Sequence, residues 1–187
     1  MSTSRARSRF KRALALTTAV LLAPVALATP AEAAGGPNLA SGRTAAANAT
    51  DGAFPIANLT DGDQATYWQG SGAFPQWAQV DLGSSQNIDQ VQLKLPASWS
   101  QRTQTLSVQG SPNGSTFATI VSSAAYTFAP GSGNTVTINF GATTARYVRI
   151  NVTANTGVGR SALRAGRVRR RRGRAQPRRR QDDAGEQ

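Results

Sequence analysis

One stretch of the sequence, NLTDGDQATYW at residues 58–68, concentrates hard oxygen donors. Asp61 and Asp63 flank a glycine, and the hydroxyl group of Thr66 follows shortly after them. Carboxylate and hydroxyl oxygens on a tight loop are the ligands that Ca²⁺ prefers in proteins. The stretch therefore predicts a calcium loop. The alternative is an Asx turn at Asp61 that holds no metal.

A tryptophan and an arginine lie close together in LPASWSQRTQTL, residues 95–106, after the end of a predicted strand. An indole face can pack against the C–H face of a sugar ring, and a guanidinium can donate hydrogen bonds to sugar hydroxyls. Trp99 and Arg102 therefore predict a shallow sugar site, and the alternative is that Trp99 is a lid on the core. Weaker candidates are two polar and two aromatic residues: Gln69, Asn155, Phe54 and Tyr126.

The groups that most enzymes use are scarce in this sequence. It contains no His and no Cys, which excludes a His-based triad, a thiol nucleophile and the usual transition-metal sites. Residues 34–159 contain no Glu and only five Asp, whereas a glycosidase needs two carboxylates beside the scissile bond. The composition predicts a protein that is not an enzyme.

The net charge of +12 lies at the two ends of the 187-residue chain. The N-terminal end begins with the basic MSTSRARSRFKR, continues with the apolar ALALTTAVLLAPVALA and reaches AEA at residues 31–33. This order predicts a secretory signal peptide over residues 1–33, and an N-terminal anchor helix is the alternative. We therefore expect a secreted, extracellular protein without a membrane span.

Apolar and polar residues alternate repeatedly between the two basic ends. In NIDQVQLKLP, Ile88, Val91, Leu93 and Leu95 share one face, and QTLSVQG, NTVTINF and RYVRINV show the same period. One buried face and one wet face are typical of antiparallel sheets. SPNGS at residues 111–115 predicts a turn between two such strands. The pattern predicts an all-β antiparallel sandwich or jelly roll.

Two of the three tryptophans are expected in the core of that sandwich. Trp68 and Trp77 both stand beside predicted strands rather than in a long loop. Large aromatic side chains beside strands usually contribute to core packing. We therefore assign Trp68 and Trp77 to the core and keep Trp99 as the candidate for ligand contact.

Four blocks resemble successive parts of the discoidin family, the coagulation factor V/VIII type C domains. They are NLTDGDQATYWQG, PQWAQVDLGSSQNIDQVQLKLP, LSVQGSPNGSTFATI and ARYVRINVTANTG, and together they extend over about residues 38–157. The bacterial members of this family include the family 32 carbohydrate-binding modules. The resemblance implies an antiparallel jelly-roll β-sandwich with ligand-binding loops at one end.

The resemblance also implies a structural calcium ion in the acidic loop. Its ligands would be the carboxylates of Asp61 and Asp63, the hydroxyl and carbonyl of Thr66, and the carbonyl of Asn58. One further ligand in the family is a Glu of the final strand, which this reading frame lacks. The cofactor expectation is therefore a structural Ca²⁺ in the domain with an intact final strand.

The C-terminal end departs from the family pattern. Such domains close with a strand like W-x-A-Q-L-S-E-L-x-V-Y-G, whereas residues 157–187 contain eleven Arg. The codons of VGRSALRAGRVR, read one base out of phase, permit Trp, Ala, Ala, Gln, Leu, Ser, Glu, Leu, Asp, Val, Tyr and Gly in order. We therefore expect a frameshift near residue 158, a domain over residues 34–157 whose last strand is missing, and a disordered tail over residues 158–187.

The combined prediction is non-catalytic carbohydrate binding by a secreted discoidin-type module that tethers a protein to a polysaccharide or other glycan. One alternative is a discoidin domain for adhesion or phospholipid binding, with Phe54 and Phe74 of the two GAFP repeats as exposed apolar contacts. Another is polyanion binding through the basic tail. The tail has no aromatic residue for base stacking, so we expect no nucleic-acid partner.

Overall fold

A computed structural model describes residues 37–157 and 162–170 of the chain. The described residues form seven β-strands: β1 (Ala45–Ala47), β2 (Trp68–Gln69), β3 (Gln76–Lys94), β4 (Arg102–Ser111), β5 (Ala118–Phe128), β6 (Thr135–Asn155) and β7 (Ala162–Arg170). Two short 3-10 helices cover Ile56–Leu59 and Pro130–Ser132. Within these ranges, no helix has the length and apolar character that crossing a membrane requires.

All the paired strands are antiparallel. Their order is β2-β7-β3-β6-β4-β5, and β1 pairs with β3. The β3–β6 pairing shifts register between Asp81 and Gln86. Val80 precedes this shift and Val91 follows it, yet both side chains line one internal cavity. Strand β3 therefore folds over and contributes to two facing layers, which confirms the predicted antiparallel β-sandwich.

The predicted alternation matches the buried faces of the strands. Ile88, Val91, Leu93 and Leu95 are all buried, while polar neighbours such as Gln90 remain on the other face and bond across the sheet. The same holds in β4 and β6, where the inward residues are Leu106, Val108, Val136, Ile138, Val148, Ile150 and Val152. Period-two patterning therefore selected the core correctly, because successive strand residues point to opposite faces.

Trp68 is fully buried, as predicted, but the core assignment of Trp77 is wrong. Ala78 and Val80 fill the inward positions of β3, so Trp77 points outward from the sheet. There the guanidinium carbon of Arg149 lies 4.0 Å from the centre of the indole ring. Trp77 therefore covers an outer sheet face as part of a cation–π pair.

The last strand is present, contrary to the expectation of a missing strand and a tail disordered from residue 158. Strand β7 lies between β2 and β3 in the sheet order, and Leu163, Ala165 and Val168 belong to the core. Apolar residues between the arginines supply the inward positions, so a basic composition does not prevent the strand. The frameshift stays a prediction, and the signal peptide and residues 171–187 lie outside the described residues.

An ion pair on the sheet gives an expected pH dependence. Arg146 donates two hydrogen bonds to the carboxylate of Asp81, at 2.9 and 2.8 Å, and mainly for this reason the pKa of Asp81 falls to about 2. Because the folded state lowers this pKa, the stabilisation is complete above the unfolded value of about 4. It is lost as the pH falls from there through about 2.

The test compares urea unfolding of the wild-type protein and Asp81→Asn across that acidic range. The wild-type protein should lose more stability than the variant as the pH falls, by a small and salt-sensitive amount because the pair is partly exposed. Identical pH dependence of the two proteins would contradict the assignment.

Candidate functional site

Three aromatic rings and one guanidinium form a continuous stack where the loops before β2 and after β3 meet the first residue of β4. The ring centres of Phe54 and Tyr67 are 4.5 Å apart with nearly parallel planes, and Tyr67 meets Trp99 edge-on at 4.5 Å. The guanidinium carbon of Arg102 lies 4.1 Å from the centre of the Trp99 ring. The structure thus joins the predicted pair of Trp99 and Arg102 and adds two aromatic neighbours.

Tyr67 is the aromatic residue that the sequence analysis missed. It immediately precedes β2 and is partly buried against the core. No local pattern marks it, because β2 has only two residues and alternation cannot be recognised over so short a strand. Burial is the main cause that raises the pKa of Tyr67.

Arg102 is held in place without a carboxylate partner. Its Nε atom is buried and has no hydrogen-bond partner, and none of the ion pairs of the described residues includes Arg102. A Cβ atom at Gly157 would lie 3.1 Å from the guanidinium carbon, so the glycine leaves room for the group. Burial lowers the pKa of Arg102, although a guanidinium remains charged in proteins.

The two weaker polar candidates lie beside this stack and have bonds within the protein. The side-chain oxygen of Asn155 accepts a hydrogen bond from the amide of Gly157, at 3.2 Å. The side-chain amide of Gln69 donates to the carboxylate of Asp51, at 3.2 Å. The amide of Phe54 in turn donates to the carbonyl of Asp51, at 2.9 Å. Gln69 therefore helps to hold the loop that carries Phe54, and Asn155 holds the turn at Gly157, the residue that leaves room for Arg102.

The remaining aromatic candidates have different surroundings. Tyr126 is partly buried and packs against the core. Phe54 is half-buried because it stacks on Tyr67. Phe74 retains 38% of its surface exposed and is the exposed large hydrophobic residue of the described chain. Of the two GAFP phenylalanines, only Phe74 therefore offers an apolar surface to a partner.

An open depression adjoins Trp99. Its lining residues belong to the acidic loop and to the loop after β3, and they are Gln64, Ala65, Pro96, Ala97, Ser98 and Trp99. The side-chain amide of Gln64 connects the two walls, since it donates to the carbonyls of Leu95 at 3.1 Å and Gly133 at 2.8 Å. These bonds join the two walls of the depression within the protein itself.

Asn134 holds the wall that carries Trp99, and sequence reasoning missed it. Its buried side-chain amide donates to the carbonyls of Pro96 at 2.8 Å, Trp99 at 2.9 Å and, more weakly, Ala97 at 3.4 Å. The backbone of Asn134 is left-handed, with φ of 51°, a conformation that asparagine tolerates better than most residues. The motif GSGN signals a turn, but it does not identify the distant carbonyls.

The acidic loop is closed by bonds among its own residues. The carboxylate of Asp61 accepts the amide of Asp63 at 3.0 Å and the hydroxyl of Thr66. The carboxylate of Asp63 accepts the amide of Ala65 at 2.8 Å. The side chain of Asn58 donates to the carbonyl of Tyr67 at 3.1 Å. The bond from Asp61 to the amide two residues later is the Asx turn that the sequence offered as an alternative.

A positive charge also contacts this loop. The guanidinium of Arg164 on β7 lies 3.3 Å from the Asp61 carboxylate, and no group of three or more His, Cys, Asp or Glu side chains that could hold a metal occurs among the described residues. A Ca²⁺ ion needs several oxygen ligands and little positive charge nearby. The Arg164 guanidinium therefore contacts a carboxylate that a calcium ion would need, and a calcium site stays a prediction for a domain with an acidic final strand.

Comparisons with known proteins agree with this architecture. Residues 58–150 match an F5/F8 type C family described as NedA-like, galactose-binding domain. Chitosan-binding module 1 of a chitosanase/glucanase from Paenibacillus sp. IK-5 is 31% identical, with a TM-score of 0.54, and the match covers 72% of this chain and 98% of that module. No curated protein matches the chain.

Two further solved structures were obtained with sugars. Chitosan-binding module 2 of the same Paenibacillus enzyme, solved with chitotriose, is 30% identical over 67% of this chain and 95% of that module, with a TM-score of 0.54. The family 32 module of C. perfringens NanJ, solved with galactose, shares the fold, with a TM-score of 0.57 at 20% identity over 70% of this chain and 94% of that one. The chain belongs to the F5/F8 type C family of discoidin-like domains.

Proposed function

We propose that this protein binds carbohydrate, without catalysis, at the depression beside Trp99. The observation that carries the proposal is the position of Trp99, which lines an open depression and holds the guanidinium of Arg102 over its ring. The Paenibacillus modules that resemble the chain are described as chitosan-binding. A binding role without catalysis also agrees with the absence of His and Cys from the sequence.

The chemistry of the site suits a sugar ring. An indole edge or face offers a flat apolar surface to C–H groups, and a guanidinium offers several N–H donors to hydroxyls. Arg102 has no carboxylate partner in the described chain, so its outward donors are available to a ligand. Because the edge-on contact with Tyr67 and the bond from Asn134 already hold Trp99 in place, binding requires little ordering of the protein.

We further propose that the protein acts outside the cell. The predicted signal peptide supports export, and the neutral body of the chain gives no general attraction to polyanions. We infer that the module tethers itself, or a protein to which it is joined, to a polysaccharide outside the cell. A panel of insoluble and soluble polysaccharides would identify the sugar.

The direct test of the site is Trp99→Ala in polysaccharide pull-down and affinity electrophoresis. We expect a loss of about tenfold or more in affinity, because an aromatic contact at the centre of a site contributes about 1–3 kcal/mol. The matched control is Trp77→Ala, since Trp77 lies on the outer sheet face against Arg149. If Trp99→Ala binds as well as the wild-type protein while Trp77→Ala does not, the site is wrongly placed.

The exposure of Phe74 favours a second candidate function, binding to phospholipid. A single exposed phenylalanine is common on protein surfaces, so fewer structural features support phospholipid binding than support the sugar site. Co-sedimentation with anionic vesicles, using the wild-type protein and Phe74→Ala, separates the two functions. Vesicle binding that Phe74→Ala abolishes, together with no retention on any polysaccharide, would replace the proposed function.

A further inference from the structure

Arg164 is a buried charge whose role follows from its position. It lies on β7, opposite Lys94 of β3, and only 4% of its surface is exposed. Its guanidinium forms an ion pair with Asp61 of the acidic loop at 3.3 Å. A buried cation is costly unless it is paired, so this contact is a fixed part of the structure.

The side chains around Arg164 show what the charge does. Asp61 receives the Asp63 amide and the Thr66 hydroxyl as well as the guanidinium. Lys94 directs a second cation at the same loop, since its ammonium group lies 3.4 Å from the side-chain oxygen of Gln64. The charge of Asp61 is therefore balanced from within the chain.

A bound divalent ion would compete with this arrangement. Any ion that Asp61 coordinated would lie within a few ångströms of the Arg164 guanidinium, and two cations at that distance repel each other strongly in a partly buried site. The Nε atom of Arg164 is already buried without a hydrogen-bond partner, and Asp61 is the carboxylate with which the side chain pairs. The loop must hold either the guanidinium or the metal.

We propose that the guanidinium of Arg164 takes the place of a metal ion in the loop of residues 58–66, so that this loop keeps its shape without calcium. Gln64 and Ala65 of the same loop line the depression beside Trp99. The geometry of that depression is therefore also independent of calcium.

Calcium titration and thermal unfolding of the full chain, after treatment with EDTA, test the proposal. The wild-type protein should give no calcium-binding heat and the same melting temperature in EDTA and in millimolar CaCl₂. Arg164→Glu, which supplies the acidic residue of the family's final strand, should gain calcium-binding heat and melt several degrees higher in CaCl₂ than in EDTA. Arg164→Gln should melt lower than the wild-type protein in both conditions, because Asp61 loses its partner.

The matched control is Arg167→Glu, which makes the same charge change on the same strand, opposite Gln92 rather than beside the loop. It should gain no calcium dependence, so a response in Arg164→Glu alone supports the proposal. Calcium binding by the wild-type protein that Asp61→Asn abolishes would overturn it. If Arg164→Glu does not fold, the wild-type titration and the comparison with Arg164→Gln still decide, because a wild-type melting temperature that falls in EDTA would be incompatible with the proposal.

Discussion

A chain that ends at Gly157 should lose cooperative unfolding, whereas one that ends at Arg170 should keep it. Strand β7 buries Leu163 and Val168 completely or nearly so, and burial of each such side chain contributes about 1.5–3 kcal/mol. The sum of about 3–6 kcal/mol approaches the stability of an ordinary domain, about 5–15 kcal/mol. Removal of β7 would also leave the backbone groups of β3 that pair with it without partners.

Urea unfolding followed by tryptophan fluorescence makes the measurement, with both chains beginning at Ala34. The buried Trp68 reports the change directly, because its strand β2 pairs with β7 through Leu163. The chain ending at Arg170 controls for removal of the remaining C-terminal residues. Equal unfolding midpoints for the two chains would mean that β7 contributes nothing to stability, contrary to its packing.

Asn134→Gly should weaken both the fold and the binding site. Its side-chain amide makes the hydrogen bonds to Pro96 and Trp99 that hold the loop after β3. Loss of these bonds takes the side-chain donor away from both carbonyls, and only the Pro96 carbonyl keeps a further donor, the backbone amide of Trp99 at 3.1 Å. A lost hydrogen bond costs about 0.5–1.5 kcal/mol, and a buried group left unsatisfied costs about 1–3 kcal/mol. We expect a loss of about 2–4 kcal/mol in the free energy of unfolding and a clear loss of polysaccharide affinity, because Trp99 is no longer held against the depression.

Glycine is the informative substitution at this position. The φ of Asn134 is 51°, and glycine adopts that value without strain, so the variant removes the side-chain bonds alone. Asn113→Gly is the control, because Asn113 caps the turn between β4 and β5 by accepting the amides of Ser115 and Thr116. It should lower stability and leave affinity unchanged. Normal affinity in Asn134→Gly would show that Trp99 does not need this support.

The strands β3, β4 and β6, their buried faces and the family could be predicted from the sequence, whereas β7 and the outward position of Trp77 could not. Alternation in a strand is a local property, so residues such as Ile88, Val91 and Leu106 could be assigned to the core without knowledge of their partners. The contact between Trp99 and Arg102 could also be predicted, because the two residues are close in sequence and a short loop brings them together. The order of four blocks identified the discoidin-like fold, which the described strands confirm.

The distant residues that complete each site are identified only by the fold. Asn134 reaches Trp99 across 35 positions of sequence, and Arg164 reaches Asp61 across 103, and no local period encodes such contacts. The arginine-rich composition was misleading for the same reason. Strand β7 forms because Leu163, Ala165 and Val168 pack into the core. The buried charge of Arg164 is tolerated because the fold places the carboxylate of Asp61 beside it.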